Sequence, residues 1–259
     1  MSDSEFTNLA AIFQPHNDDA VIAIGGILQK LLKGKWNLHY VYMTDSRHGG
    51  NESPEVIGTK RSQEAACERN LLGIANFTEF GYVDQSLSTL SGQQRDDVIG
   101  RIAQWLASSS PHVIFVPSRG EQHPDHIATH DLVLMAFDRV KPKSIIVKYS
   151  VWLMPDFYLK SSDVADQVLL IGIDDEEKLK NKLIKCHSSQ LRRLRYDIAI
   201  RHLNKYNARI LKADSRIGCL SAEIIGLYRL NGQGIVYKKL LGTLLPYLDV
   251  TTVVHGRSS

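Results

Sequence analysis

The sequence predicts a single three-layer, Rossmann-like α/β domain with a mainly parallel sheet. First, short apolar runs at 9–13, 38–43, 77–80, 113–117 and 144–152 alternate with helix-like stretches at 20–32, 59–72, 93–107 and 126–140. Strands alternating with helices of this length indicate βαβ units. Second, two polar clusters, Pro15-His16-Asn17-Asp18-Asp19 and His123-Pro124-Asp125-His126, each follow a strand-like run. Ligands of open α/β sheets collect outside the carboxyl ends of the strands. Third, 259 residues at 43% hydrophobic and 23% charged can bury a sizeable core.

The run at 9–13 ends in the first polar cluster, whose Asp18 and Asp19 suit the positive end of the helix that follows. The helix at 59–72 stops at Gly73, a residue suited to the left-handed turn that ends helices. Beyond the run at 144–152, another buried strand is expected at 168–173. Asp174-Asp175-Glu176-Glu177 then opens a long helical region, rich in lysine and arginine from Lys178 to Arg209. Ser188-Ser189 marks a bend, because small polar residues favour turns over helix interiors. One domain is expected over 1–259, with a helical C-terminal part from about 174.

A net charge of +3 and a pI near 8.6 are too mild to argue for nucleic acid. The basic segment 178–209 reads as a solvated helix face, with an anionic partner as its rival. Cys67, Cys186 and Cys219 are odd in number and form no C-x-x-C pair, so they read as reduced, packed thiols. No apolar run is long enough for a transmembrane helix, and the acidic start does not resemble a signal peptide. The expected location is the cytoplasm.

In the first cluster, His16 and Asp19 sit one turn apart and can point at one ion, leaving Asp18 beside it as a base. The alternative is that Asp18 or Asp19 caps the following helix. In the second, His126 can supply a third ligand, while His123 faces substrate as acid or oxyanion stabiliser. Asp125 can orient that imidazole. His130, His48 and Glu121 are weaker candidates, for a metal contact, the pocket entrance and a substrate contact.

These residues resemble the PIG-L/LmbE-like family of metal-dependent de-N-acetylases. The family's opening (P/A)-H-x-D-D stands at Pro15 to Asp19, and its H-P-D-H is intact at His123 to His126. Thr44-Asp45-Ser46-Arg47-His48-Gly49 resembles its T-D-G-x-x-G loop. Arg61-Ser62-Gln63-Glu64-Ala65 resembles its R-x-x-E-A helix, closed by Leu72-Gly73, and Lys185 to Gln190 a further K-x-x-x-x-Q segment. Ala20 departs from a commoner glutamate, and Asn17 from a commoner proline.

The resemblance implies that His16, Asp19 and His126 bind Zn2+ or another divalent metal. It implies Asp18 as general base, His123 as acid or oxyanion stabiliser, Asp125 as its partner and Arg61 as a sugar-pocket residue. The expected activity is hydrolysis of an N-acetyl group on an amino sugar or glycoconjugate. The alternatives are a glycan- or nucleic-acid-binding protein on the same fold, or a hydrolase of another amide such as a thiol conjugate. The particular sugar and the oligomeric state are left open.

Overall fold

The computed structural model describes residues 8–151, 167–192, 194–210, 219–228, 238, 242–248 and 250–255. The expected alternation is present as β1 (Asn8–Gln14), α1 (Asp19–Lys33), β2 (Trp36–Thr44), α2 (Pro54–Leu72) and β3 (Asn76–Tyr82). It continues through α3 (Gly92–Ser109), β4 (Val113–Pro117), α4 (Pro124–Val140) and β5 (Ile145–Tyr149). β5 is shorter than the apolar run suggests, and Trp152 lies outside the described residues. α2 begins earlier than expected, because Ser53 accepts from the Val56 N–H and Pro54 occupies the first turn. It ends at Gly73 in the left-handed conformation (φ 74°).

The C-terminal part comprises β6 (Gln167–Gly172), α5 (Glu177–Cys186), α6 (Ser188–Leu191), α7 (Tyr196–Ile210), β7 (Ala222–Tyr228) and β8 (Val250–His255). The bend expected near Ser188 is the junction of α5 and α6. The expectation of a helical C-terminal part is incomplete, since β7 and β8 complete the sheet.

The sheet has the order β3-β2-β1-β4-β5-β7-β6-β8. The first five strands run parallel, and β7, β6 and β8 pair antiparallel. Alternate side chains of β1 feed two cores. Ala10 and Ile12 pack with α1 and with Leu183 and Ile184 of α5. Ala11 and Phe13 pack with Val98 and Ile102 of α3 and Val133 and Phe137 of α4. Strands covered on both faces need near-continuous apolar sequence, which β1, β4 and β5 have. From β1 the chain winds outward to β3, then crosses back to β4 on the other side. That reversal opens a crevice at the carboxyl ends of β1 and β4, where both polar clusters emerge.

α1 is kinked at Ile24 (φ −131°, ψ 23°). The Glu223 carboxylate of β7 accepts from the N–H groups of Gly26 and Ile27, both at 2.8 Å, just past the kink. Lys180 of α5 donates to the same carboxylate at 2.7 Å, so the buried charge is paired. A Cβ on Gly26 would stand 2.5 Å from a side-chain carbon of Ile173, so only glycine permits this approach.

One expectation is overturned. Cys67 and Cys186 are joined in a disulfide, leaving Cys219 as the free cysteine among the described residues. The two are 119 residues apart in sequence, a spacing that carries no signal, yet α2 and α5 bring their Cα atoms to 5.8 Å. Among the described residues no helix is long and apolar enough to cross a membrane.

Candidate metal centre

Asp19 lies between two imidazoles. Its Oδ2 is 3.3 Å from His16 Nδ1, and its Oδ1 is 3.3 Å from His126 Nε2. The His16 backbone N–H also donates to Asp19 Oδ2 at 2.7 Å, fixing the carboxylate across the turn into α1. All three residues are buried, so their polar atoms face one another rather than water.

The far nitrogen of each imidazole faces another carboxylate. His16 Nε2 is 3.0 Å from Asp84 Oδ1 and 3.5 Å from Asp125 Oδ2. His126 Nδ1 is 3.8 Å from Glu121 Oε2 and has no hydrogen-bond partner among the described residues. An imidazole that gives one N–H to a carboxylate presents the lone pair of its other nitrogen, as metal-bound histidines do. Nitrogen and oxygen donors from His16, His123 and His126, and from His16, Asp84 and Asp125, also converge within 4.8 Å of one another. The donor chemistry therefore fits a divalent ion.

Electrostatics follow the packing. Burial lowers the pKa of His16, but Asp19, with Asp125 and Asp84, more than reverses this and holds it well above the ordinary value. Burial raises that of Asp84, yet His16 and the His48 N–H bring it to about 2. Burial, and then His16 and His126, lower that of His123.

Asp18 occupies the N-cap position of α1 but makes no capping hydrogen bond. Its Oδ1 instead receives the guanidinium of Arg61 from α2. Gln14 Oε1 accepts from the Ala20 N–H at 3.2 Å and serves the first turn in its place. Arg61 pairs with Asp18 rather than with Glu64, which accepts from Ser188 and Ser189. His123 is the N-cap of α4, and its Nδ1 accepts from the Asp125 backbone N–H at 3.2 Å. That bond places the imidazole proton on Nε2.

The expected pairing of the Asp125 carboxylate with His123 is not among the described hydrogen bonds. Asp125 instead accepts from the backbone N–H groups of Gln85 and Leu87, at 2.6 and 3.2 Å. His130 Nδ1 donates to the Pro117 carbonyl at 2.8 Å, which ties α4 to β4.

Residues 11–137 match the family model PIG-L, described as GlcNAc-PI de-N-acetylase. The chain thus carries a PIG-L family match over just under half of its length. It is similar to a 1D-myo-inositol 2-acetamido-2-deoxy-alpha-D-glucopyranoside deacetylase of Mycolicibacterium smegmatis, at 26% identity over 172 residues. That match covers 55% of this chain and 56% of the relative, so the chain spans little more than half of the relative's length. The N,N'-diacetylchitobiose deacetylase from Pyrococcus horikoshii shares the fold, with a TM-score of 0.67 and 21% identity over 91% of this chain and 90% of that one. So does a 4-carboxy-2-hydroxymuconate hydratase from Pseudomonas putida KT2440, with a TM-score of 0.64 and 17% identity over 87% of this chain and 98% of that one. Such likeness establishes the fold, and the reaction has to be argued from the site.

The site opens into a cavity of about 400 Å³. Asp18, Asp19, Arg61, Asp84, His123 and Gln190 line its polar side, and Ile22, Leu194 and Tyr196 its apolar side. Gly49 is also in the wall, because an added Cβ would stand 2.5 Å from Arg61 Nη1 and 3.0 Å from Gln190 Nε2. Asp84 escaped the sequence reading, although Gly81-Tyr82-Val83-Asp84 places a carboxylate directly after β3. Glu121, considered there as a substrate contact, is buried against Val151 and His126. Gln190 donates to the Gly49 carbonyl at 2.8 Å, and His187 to Glu68 at 2.7 Å.

Proposed function

We propose that the protein is a divalent-metal-dependent hydrolase, with zinc as the metal, that removes the N-acetyl group from an amino sugar or glycoconjugate. The observation that carries this reading is the common orientation of His16 and His126. Each turns one nitrogen to Asp19 and the other to an outer carboxylate.

His16, Asp19 and His126 would hold the ion, a set of two imidazoles and a carboxylate that suits zinc with a position left open. A bound ion would polarise the acetyl carbonyl and acidify a water. Asp18, kept at the cavity wall by Arg61, accepts the proton of the attacking water and returns it to the departing amine. His123 presents Nε2–H to the oxyanion and assists collapse of the tetrahedral adduct. The hydrogen-bonding groups of Arg61, Asp84 and Gln190 suit the hydroxyls of a sugar ring.

The test is acetate release from a panel of N-acetylated amino sugars, glycoconjugates and thiol conjugates, using metal-loaded and chelator-stripped protein. Release from an amino-sugar substrate that stops on stripping and returns with zinc supports the reading. Release that persists after complete metal removal overturns it, as does binding of the sugars without release by loaded protein.

A further inference from the structure

The Cys67–Cys186 disulfide plays no part in the proposed hydrolysis, yet it stands at the edge of the site. It joins α2 to the last residue of α5. Cys67 is exposed and Cys186 half-buried, and both line a second cavity of about 330 Å³ together with Gly50, Glu64 and Ser189. A thiolate arriving from solvent can therefore reach the sulfurs, and access of this kind separates labile disulfides from structural ones.

The bond heads a run of contacts that ends in the site wall. His187 meets Glu68 at 2.7 Å, and the Ser189 N–H donates to Glu64 at 2.6 Å. Gln190 then donates to the Gly49 carbonyl and faces the site cavity. On the other side of the bond, α2 carries Arg61, which holds Asp18. The two cavities adjoin here, since Gly49 and Gln190 line the site cavity while Gly50 and Ser189 line the second.

We propose that Cys67–Cys186 is a redox site at which a dithiol reductant loosens the Gln190 wall of the substrate cavity. The reductant's thiolate attacks one sulfur and expels the other as a thiolate. Its second thiol then resolves the mixed disulfide. The Sγ–Sγ bond breaks, two electrons and two protons pass to Cys67 and Cys186, and the reductant leaves as its own disulfide. The contacts of Glu64 and Glu68 survive reduction, so the wall relaxes without detaching. The candidate metal ligands follow β1 and β4, whereas the cysteines stand on α2 and α5. Glu64 and Glu68 keep α2 in place, so Arg61 stays on Asp18, and the effect falls on the Gln190 wall and on substrate binding while kcat is spared.

The experiment uses the full chain carrying Cys219→Ser, oxidised or treated with dithiothreitol, with the additional substitution Cys67→Ser as a bond-free reference. Non-reducing peptide mapping should find the Cys67–Cys186 link only in the oxidised form. Amide hydrogen exchange at 187–191 should be about fivefold faster without the bond, the low end of coupling between two sites. An absent link in the oxidised protein overturns the proposal, and so does exchange that ignores the bond. These two measurements need no substrate, so they decide the redox site even if the hydrolase reading fails. Where acetate release is observed, KM should rise about fivefold on reduction with kcat unchanged. A fall in kcat at constant KM would overturn the assignment to the binding wall.

Discussion

Asp18 and Asp19 are neighbours in sequence, and side-chain direction separates their roles. Asp19 turns between His16 and His126, while Asp18 turns to Arg61. Asp18→Asn keeps the shape and removes the proposed base. Its kcat is expected to fall by about 10²–10⁴-fold, the usual worth of a positioned general base. Elemental analysis should find the metal content unchanged, and a variant with normal metal and normal turnover would reassign the role. Glu121→Gln leaves the cavity intact but weakens the acceptor behind His126 Nδ1. Zinc affinity, measured by competition with a chromophoric chelator, is expected to drop about 10–100-fold. Undiminished affinity would show that Glu121 does not orient His126. Most of the residues legible in the sequence stand in one of the two short polar motifs, 15–19 and 123–126. Asp84 meets His16 across 68 positions of sequence, so no spacing rule connects them. The Asp125 carboxylate was assigned to His123 by proximity in sequence, whereas the turn into α4 aims it at the backbone of Gln85 and Leu87.

At the scale of elements, α1 couples the two halves of the sheet. The kink at Ile24 frees backbone N–H groups that a straight helix would pair internally, and Glu223 receives them. Lys180 makes this possible by pairing the charge inside the core. Lys180→Met leaves the carboxylate buried without its cation, and stability is expected to fall by about 3–5 kcal/mol. Urea unfolding would show this as a lower midpoint at constant slope, and an unchanged midpoint would mean that the backbone bonds alone satisfy Glu223. The residues of α1 were legible as a helix from apolar periodicity. The kink was not, because the acceptor that stabilises it lies 197 residues away.

Across the whole molecule, the parallel half was readable from its alternating periods, since β1, β2, β4 and β5 and the helices α1, α3 and α4 each bury an apolar face. The antiparallel strands β7 and β8 were not, because the charged helices α5 and α7 dominate the pattern after residue 174. The halves are also joined by the buried pair of His187 and Glu68. Burial lowers the pKa of His187, but the hydrogen bond and charge of Glu68 more than offset this and raise it above its ordinary value. A raised histidine pKa contributes stability that is fully present below the unfolded value of about 6.5 and is lost as pH climbs through the folded value. Urea midpoints of the wild type should therefore fall as pH rises from 6.5 through that window. Glu68→Gln should flatten this dependence, and an equally steep fall in the variant would place its source elsewhere.

The reach of Glu223 back to α1 has a consequence for how the chain matures. α1 opens with Asp19, so the helix that carries a candidate ligand obtains its acceptor only after residue 223 has been synthesised. At about 5–20 residues per second, the 197 positions separating Gly26 from Glu223 take roughly 10–40 s to emerge. Through that interval β1, β2 and β4 can pair, but the freed N–H groups of Gly26 and Ile27 have no carboxylate to meet. The candidate ligand motifs are written early in the chain and are finished late, which makes a nascent chain arrested before β7 a species with its candidate ligands present and their supporting helix incomplete.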